Sequence, residues 1–593
     1  MRVGRGWVLA LLLASVPLEH AQARAERPAQ VRIVERPEGF VLLVDGQPFY
    51  VRGAGMRGDA REQDALAARG GNAFRTWQTG ADTARVKAML DHAQAKGLKV
   101  AMGIEVARER HGFDYDDAGA VEAQRARIRG EVLAWKDHPA VLMWVVGNEL
   151  NLESTNPRVW NAVGALADMI HQIDPNHPVM TTVAGLDKPL VEAIRTRAPS
   201  LDLIGIQLYG DLDRLPEKLR QSQWTGPYLV TEWGPTGHWE SPLTAWGAPI
   251  EDTSTDKARL LAQRYRQVIQ ADKRQGLGSF VFLWGQKQER TPTWYGLFLP
   301  DGTTTPAVDT LQWLWTGHWP RNRAPSIQAP TIDGQGARAS VTLAPGSAHT
   351  ASAPAQDPDG DALDYRWTVL RESQATSVGG DPETVPAQVD VAISDTANGA
   401  MRLVAPQAPG NYRLFVEVRD GQGHAATANL PFRVELLRKS DPHRLGAAFG
   451  RAVEDRLDIV AIGVEDEGRV IARVIRPQPG RAVVAAAVGQ GDLVEGVDHG
   501  RIARLESQVM ASGEFAGGRR AVGAGDEQLV RPEEARPGAA DGDAQRAEHG
   551  AVEVLAGMQV AHDQMQVVDQ AAAEEFLRFH GSAPAAVEVD PRF

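Results

Sequence analysis

The chain has 593 residues, more than one hydrophobic core accommodates, so several domains are expected. Its 43% hydrophobic and 23% charged content is that of soluble globular protein, and a formal net charge of −13 excludes the basic face a nucleic-acid partner requires. The absence of cysteine excludes disulfides, thiolate metal sites and lipid attachment through a processed cysteine.

Residues 1–23 read as a cleaved export signal. Arg2 and Arg5 precede an apolar run from Trp7 to Val16, and Ala21-Gln22-Ala23 is a small-residue cleavage pattern. The run is shorter than the ~20 residues a membrane span needs. A soluble periplasmic or secreted protein is expected, without a membrane span once the signal is removed. Asp45-Gly46 between short apolar runs predicts a hairpin. Residues 31–320 then alternate apolar runs with amphipathic stretches, the rhythm of parallel strands with helical crossovers. Eight strand candidates occur, at 50–53, 72–77, 99–104, 141–146, 178–182, 203–206, 228–231 and 279–284. Their count and spacing predict an α/β fold, a (β/α)₈ TIM barrel. An open doubly wound sheet is disfavoured because no Gly-x-Gly-x-x-Gly follows the first strand. Val86, Met89, Leu90 and Ala93 mark the buried stripe of one crossover helix, with Asp82 or Thr83 as its cap and Gly97 at its end.

Residues 322–436 lose helical periodicity. Alternating runs at 364–369 and 412–418 predict an all-β, immunoglobulin-like sandwich. Residues 438–593 contain no Trp, Tyr, Lys, Asn or Thr beyond Asp441, so a poorly ordered tail is expected, with the texture of a frame-changed reading of a GC-rich gene.

Function in such a barrel sits where strands end at the C-terminal face. The fourth strand ends in Trp144-Val145-Val146-Gly147-Asn148-Glu149, and the seventh in Thr231-Glu232-Trp233-Gly234. Two carboxylates across a barrel mouth suit glycosidic bond cleavage, where one protonates the leaving oxygen and the other attacks the anomeric carbon or activates water. These elements, with Val44-Asp45-Gly46-Gln47-Pro48-Phe49-Tyr50-Val51-Arg52-Gly53 and Gly71-Asn72-Ala73-Phe74-Arg75-Thr76-Trp77, resemble the clan A glycoside hydrolases. The catalytic barrel of glycoside hydrolase family two is the nearest resemblance, over residues 38 to 315.

The resemblance implies roles. Glu149 would be the general acid/base and Glu232 the nucleophile of a retaining enzyme. Asn148 would bind the sugar 2-hydroxyl, Arg75 would keep Glu232 ionised, and Tyr209 would donate to it. Trp284 would floor the sugar ring. Trp77 and Trp233, at strand ends, are candidates for stacking on substrate, as are Trp239, Trp246, Trp294 and Tyr295 beyond them. Two departures stand out: Gly53-Ala54-Gly55-Met56 lacks the Asn and His commonly found at the first strand end, and Gln207 stands where Asn is usual on the sixth. The resemblance also implies sandwich domains ahead of the barrel, and the residues preceding it are not read as one. No cofactor is implied, and the fifteen histidines show no metal-ligand spacing. Asp357, Asp359 and Asp361 have the spacing of a calcium-touched turn or of a solvated acidic one. The expected partner is a β-linked oligo- or polysaccharide, cleaved by double displacement. Transglycosylation and non-catalytic glycan binding are the alternatives, and no signal of oligomerisation is visible.

Overall fold

Asp45 and Gly46 take φ of 51° and 78°. Positive φ at both positions is what a two-residue hairpin turn needs. The turn belongs to a three-stranded antiparallel sheet of β1 (Val31–Arg36), β2 (Gly39–Val44) and β3 (Gln47–Pro48). The computed structural model describes residues 27–396, 399–436, 459–465 and 469–475. The export signal expected at 1–23 lies outside them.

The next eight strands are parallel and close on themselves: β4 (Val51–Gly55), β5 (Ala73–Arg75), β6 (Lys99–Ile104), β7 (Val141–Asn148), β8 (Val179–Ala184), β9 (Leu203–Gln207), β10 (Tyr228–Glu232) and β11 (Gly276–Val281). Each pairs with its sequence neighbours, and β11 closes on β4. The (β/α)₈ reading therefore holds strand for strand. The run at 279–284 ends early: the chain leaves the ladder after Val281, and the Phe282, Leu283 and Trp284 amides bond to Trp233, Tyr295 and Gly55.

The barrel has two apolar compartments. Its interior, with Val51, Ala101, Met143, Val145, Met180, Leu229 and Phe280, joins Val31, Leu42 and Val44 of the first sheet. That sheet bonds to the turns preceding β8 and β11, through Val31 to Asn176 and Phe40 to Arg274. It therefore plugs the N-terminal mouth and leaves the C-terminal mouth for chemistry. The second compartment lies between strands and helices. The crossover helix α1 (Thr83–Ala95) is representative: Asp82 caps it by accepting from the Arg85 amide, and Val86, Leu90 and Ala93 are buried.

Residues 322–436 form two facing four-stranded sheets. One has β13 (Thr331–Ile332), β15 (Ala348–Ser352), β19 (Ala400–Val404) and β18 (Ile393–Thr396); the other β14 (Thr342–Leu343), β21 (Ala425–Val434), β20 (Gly410–Arg419) and β17 (Asp364–Arg371). β12 (Ser326–Ile327) and β16 (Ala355–Gln356) pair separately. Ile332, Ala351, Met401 and Leu403 of one sheet meet Leu343, Val369, Tyr412, Leu414 and Phe432 of the other in a shared core. Barrel and sandwich lie in one compact unit, Met1–Leu437. Within 438–593 the described residues form an antiparallel hairpin, β22 (Ile459–Glu465) and β23 (Arg469–Ile475). The remainder of that segment, expected to be poorly ordered, lies outside the described residues. Among the described residues no helix is long and apolar enough to cross a membrane.

Candidate active site

The open mouth of the barrel holds a cavity of about 1610 Å³, with Asn148, Glu149, Gln207, Tyr209 and Glu232 at its base. The turn at the end of β7 sets Glu149. Gly147 has φ 78° and Glu149 φ 51°, and a Cβ on Gly147 would lie 2.6 Å from Leu150. Left-handed backbone at a non-glycine residue is costly and persists where the surroundings dictate it. Here the Glu149 amide is fixed to the Thr182 carbonyl at 3.0 Å.

Glu232, the last residue of β10, is held on both carboxylate oxygens. Its Oε1 accepts from Trp77 Nε1 (2.7 Å), Gln207 Nε2 (3.1 Å) and Arg75 Nη1 (3.2 Å), and its Oε2 from Tyr209 Oη (3.0 Å). Four donors, one of them cationic, fix the position of the carboxylate. Arg75 is fully buried and bridges the site, because its Nη2 donates to Asn148 Oδ1 at 2.7 Å. Burial lowers the Arg75 pKa while the Glu232 and Glu149 charges raise it. Burial, and then the Glu232 charge, push the Tyr209 hydroxyl well above its ordinary value, so it stays a neutral donor. Asn148 Oδ1 also accepts from Gln207 Nε2 (2.8 Å) and Thr182 Oγ1 (3.1 Å). Three donors on that oxygen fix the amide orientation, and Nδ2 has no partner among the described residues.

Glu149 is the opposite case. Its carboxyl accepts no hydrogen bond among the described residues, and it is buried. Burial, then the negative charge of Glu232, push its pKa from 4.5 up to about 8, against the pull of Arg110, Arg75 and Arg108. The site therefore pairs a carboxyl held by four donors with one that has none and whose pKa is raised.

The structure brings Glu149, Glu232, Asn148, Arg75, Tyr209 and Trp77 together. It separates Trp233 from them. Trp233 is fully buried, stacks on Tyr265 at 5.8 Å and does not line the cavity. Alternation explains the correction: Glu232 points into the mouth, so the next side chain points outward to the helices. Trp284 borders the cavity but is 1% exposed. Its indole donates to the Glu62 carbonyl at 3.1 Å and its ring stacks on Trp315. The aromatic beside the Glu232 donors is Phe282, edge-on to Trp77 (5.8 Å) and Tyr209 (6.0 Å). Of the further aromatics, Trp239 lines the cavity and is 60% exposed, while Trp246, Trp294 and Tyr295 do not line it.

Two functional positions escaped sequence reasoning. Gln207 was visible only as a departure, yet its amide joins Glu232, Asn148 and Thr182. Phe282 was hidden inside an apolar run taken for continuous strand. In the sandwich, Asp357 and Asp361 meet Asp420, with ligand oxygens within 4.8 Å of one another, a group able to hold a cation. Asp359 is not part of it; its Oδ2 accepts from the Arg323 amide.

The chain thus places two unlike carboxyls at the C-terminal mouth of a closed eight-stranded parallel barrel. Residues 80–242 match the family model described as "Glycosyl hydrolases family 2, TIM barrel domain", a stretch that includes both Glu149 and Glu232. Among solved structures, the chain is similar to a β-glucuronidase of Bacteroides uniformis (16% identity, covering 69% of this chain and 48% of that one, TM-score 0.39). It is also similar to a Bifidobacterium dentium β-glucuronidase complexed with coumarin-3-O-glucuronide (19%, 49% and 49%, 0.39). A third is a glycosyl hydrolase family 2 member from Bacteroides cellulosilyticus (14%, 75% and 52%, 0.35). The chain spans about half the length of these structures. No curated protein matches it.

Proposed function

We propose that the protein is an exported β-glycoside hydrolase that acts by double displacement with retention. The observation that carries this reading is the contrast between the two carboxyls. Glu232 accepts four hydrogen bonds, including one from a buried arginine, whereas Glu149 accepts none and is pushed up to about 8. In the first step Glu232 attacks the anomeric carbon while the Glu149 proton passes to the glycosidic oxygen, releasing the aglycone. Glu149, now ionised, takes a proton from water, which attacks the anomeric carbon and returns Glu232 as a free carboxylate. Asn148 Nδ2 is available for the sugar 2-hydroxyl beside Glu232, and Trp239 offers an exposed face for stacking a sugar ring. The sandwich is assigned an immunoglobulin-like type, and export rests on the sequence of residues 1–23.

The test is a product assay on β-linked glucans, mannans, galactans, glucosaminides and glucuronides, with Glu149→Gln and Glu232→Gln as controls. We expect shorter products whose first-formed anomer keeps the β configuration, absent from the Glu232→Gln reaction. A first-formed α anomer would replace double displacement by direct attack of water. Longer products would make the enzyme a transglycosylase using the same two carboxyls.

A further inference from the structure

The cavity is not built by the barrel alone. Residues 376–383, in the sandwich connection between β17 and β18, line it together with the strand-end loops. They lie more than 140 residues along the chain from Glu232. Three attachments hold them against the barrel. Asp381 takes Arg110 Nη2 at 3.2 Å and His111 Nε2 at 3.1 Å. Glu383, its side chain fully buried, accepts from the Arg290 amide at 2.6 Å and faces the Arg290 guanidinium at 3.5 Å. Lys287 Nζ donates to the Gly380 carbonyl at 2.8 Å.

The backbone leading into these anchors turns through two glycines. Gly379 and Gly380 have φ of 60° and 74°. A Cβ on Gly379 would lie 2.8 Å from Arg110 Nη2, and one on Gly380 2.7 Å from Lys287 Nζ. The left-handed backbone favours glycine at both positions, and a side chain there would also displace the Arg110 or Lys287 head group. Arg110 connects this loop to the chemistry, because its positive charge is the strongest of those drawing the Glu149 pKa down. Two residues before the first of these anchors, Val378 presents an apolar side chain to the cavity and is 38% exposed.

We propose that the sandwich loop 376–383 is a substrate-contacting wall, and that Val378 helps set how many sugar units of a β-linked oligosaccharide the cavity accepts. This rests on the glycan-processing reading of the site. The cavity volume exceeds the roughly 300–1,000 Å³ that holds a ligand of a few hundred daltons, so it has room beyond the sugar at the carboxylates. A wall tied down by ion pairs and a backbone hydrogen bond is positioned in advance of binding, and contacts made to it cost little ordering. The sandwich is then part of the binding site rather than a spacer.

The experiment uses the full chain carrying Glu232→Gln, which binds without turnover, on an array of β-linked glycans from monosaccharide glycosides to hexasaccharides. The same chain with Val378→Trp is compared, and Val378→Gly controls for crowding. Wild-type turnover is measured separately. We expect Val378→Trp to weaken oligosaccharides at least tenfold more than the simple glycoside of the same sugar, with Val378→Gly not reproducing that split. Equal losses across chain lengths, or none, would overturn the wall assignment even if the wild type hydrolyses its substrate. Binding with the expected split but no wild-type turnover would remove the hydrolase reading and leave the wall standing. An array on which the Glu232→Gln chain binds nothing overturns both.

Discussion

Glu149 carries a cost to the fold that its chemistry explains. A carboxyl whose folded-state pKa is about 8, against 4.5 ordinarily, binds more protons folded than unfolded between those values. Its contribution is therefore fully present below about pH 4.5 and is lost as pH rises towards 8. Two outcomes follow from that sign. The kcat/KM profile should have an alkaline limb near pH 8, where the leaving oxygen loses its proton donor. Glu149→Gln should abolish that limb's meaning by lowering turnover about 10²–10⁴-fold. The same variant should gain stability at pH 8, by roughly 1–2 kcal/mol, the trade that functional groups commonly make. Thermal unfolding at pH 8 and pH 4 checks it: the gain should nearly vanish at the lower pH, where Glu149 is mostly neutral in both states. An equal gain at both would trace it to packing instead of charge.

At the scale of elements, the sandwich is joined to the barrel by buried polar groups. Arg413 of β20, 1% exposed, donates to Glu372 (2.7 Å), Asn429 (2.7 Å) and the carbonyl of Pro249, which lies in the loop after β10. Removing one member of a buried pair strands the other, at about 3–5 kcal/mol. Arg413→Met should therefore lower the denaturant midpoint strongly, and adding Glu372→Leu should recover much of the loss. A single variant as stable as the parent would mean that the pair only balances its own desolvation. None of these contacts was legible in the sequence, because they join residues 16, 41 and 164 positions apart with no periodic pattern linking them. The barrel strands were legible for the opposite reason: a parallel strand covered on both faces is a continuous apolar run, as at Val141–Val146. The rule failed where the apolar run outlasted the ladder, at Phe282-Leu283-Trp284, and so placed Trp284 where Phe282 sits. The carboxyls, Asn148 and Arg75 could be nominated because strand ends have a fixed place in this fold. Trp233 was misassigned by applying that rule without the period-two alternation that turns it outward.

For the whole molecule, the arrangement of elements separates stability from chemistry. The first sheet closes the lower mouth through Val31, Leu42 and Val44, the upper mouth carries the carboxyls, and the sandwich reaches round to the upper mouth through 376–383. This compact unit ends at Leu437. Its last strand, β21, is paired along both edges, by β20 and β14, and the Glu435 amide still bonds to the Leu343 carbonyl. A chain ended after Leu436 keeps every one of these contacts. The segment beyond it is rich in Ala, Gly, Arg and acidic residues and lacks the tryptophan and tyrosine that anchor cores of this size. We expect the shortened chain to match the full chain in melting temperature, in turnover and in the length of oligosaccharide it accepts, measured side by side on one purified batch of each. A lower melting temperature with unchanged turnover would assign the segment to stability. A changed oligosaccharide preference with unchanged stability would assign it to the substrate site, and either result would end its reading as a segment without a role.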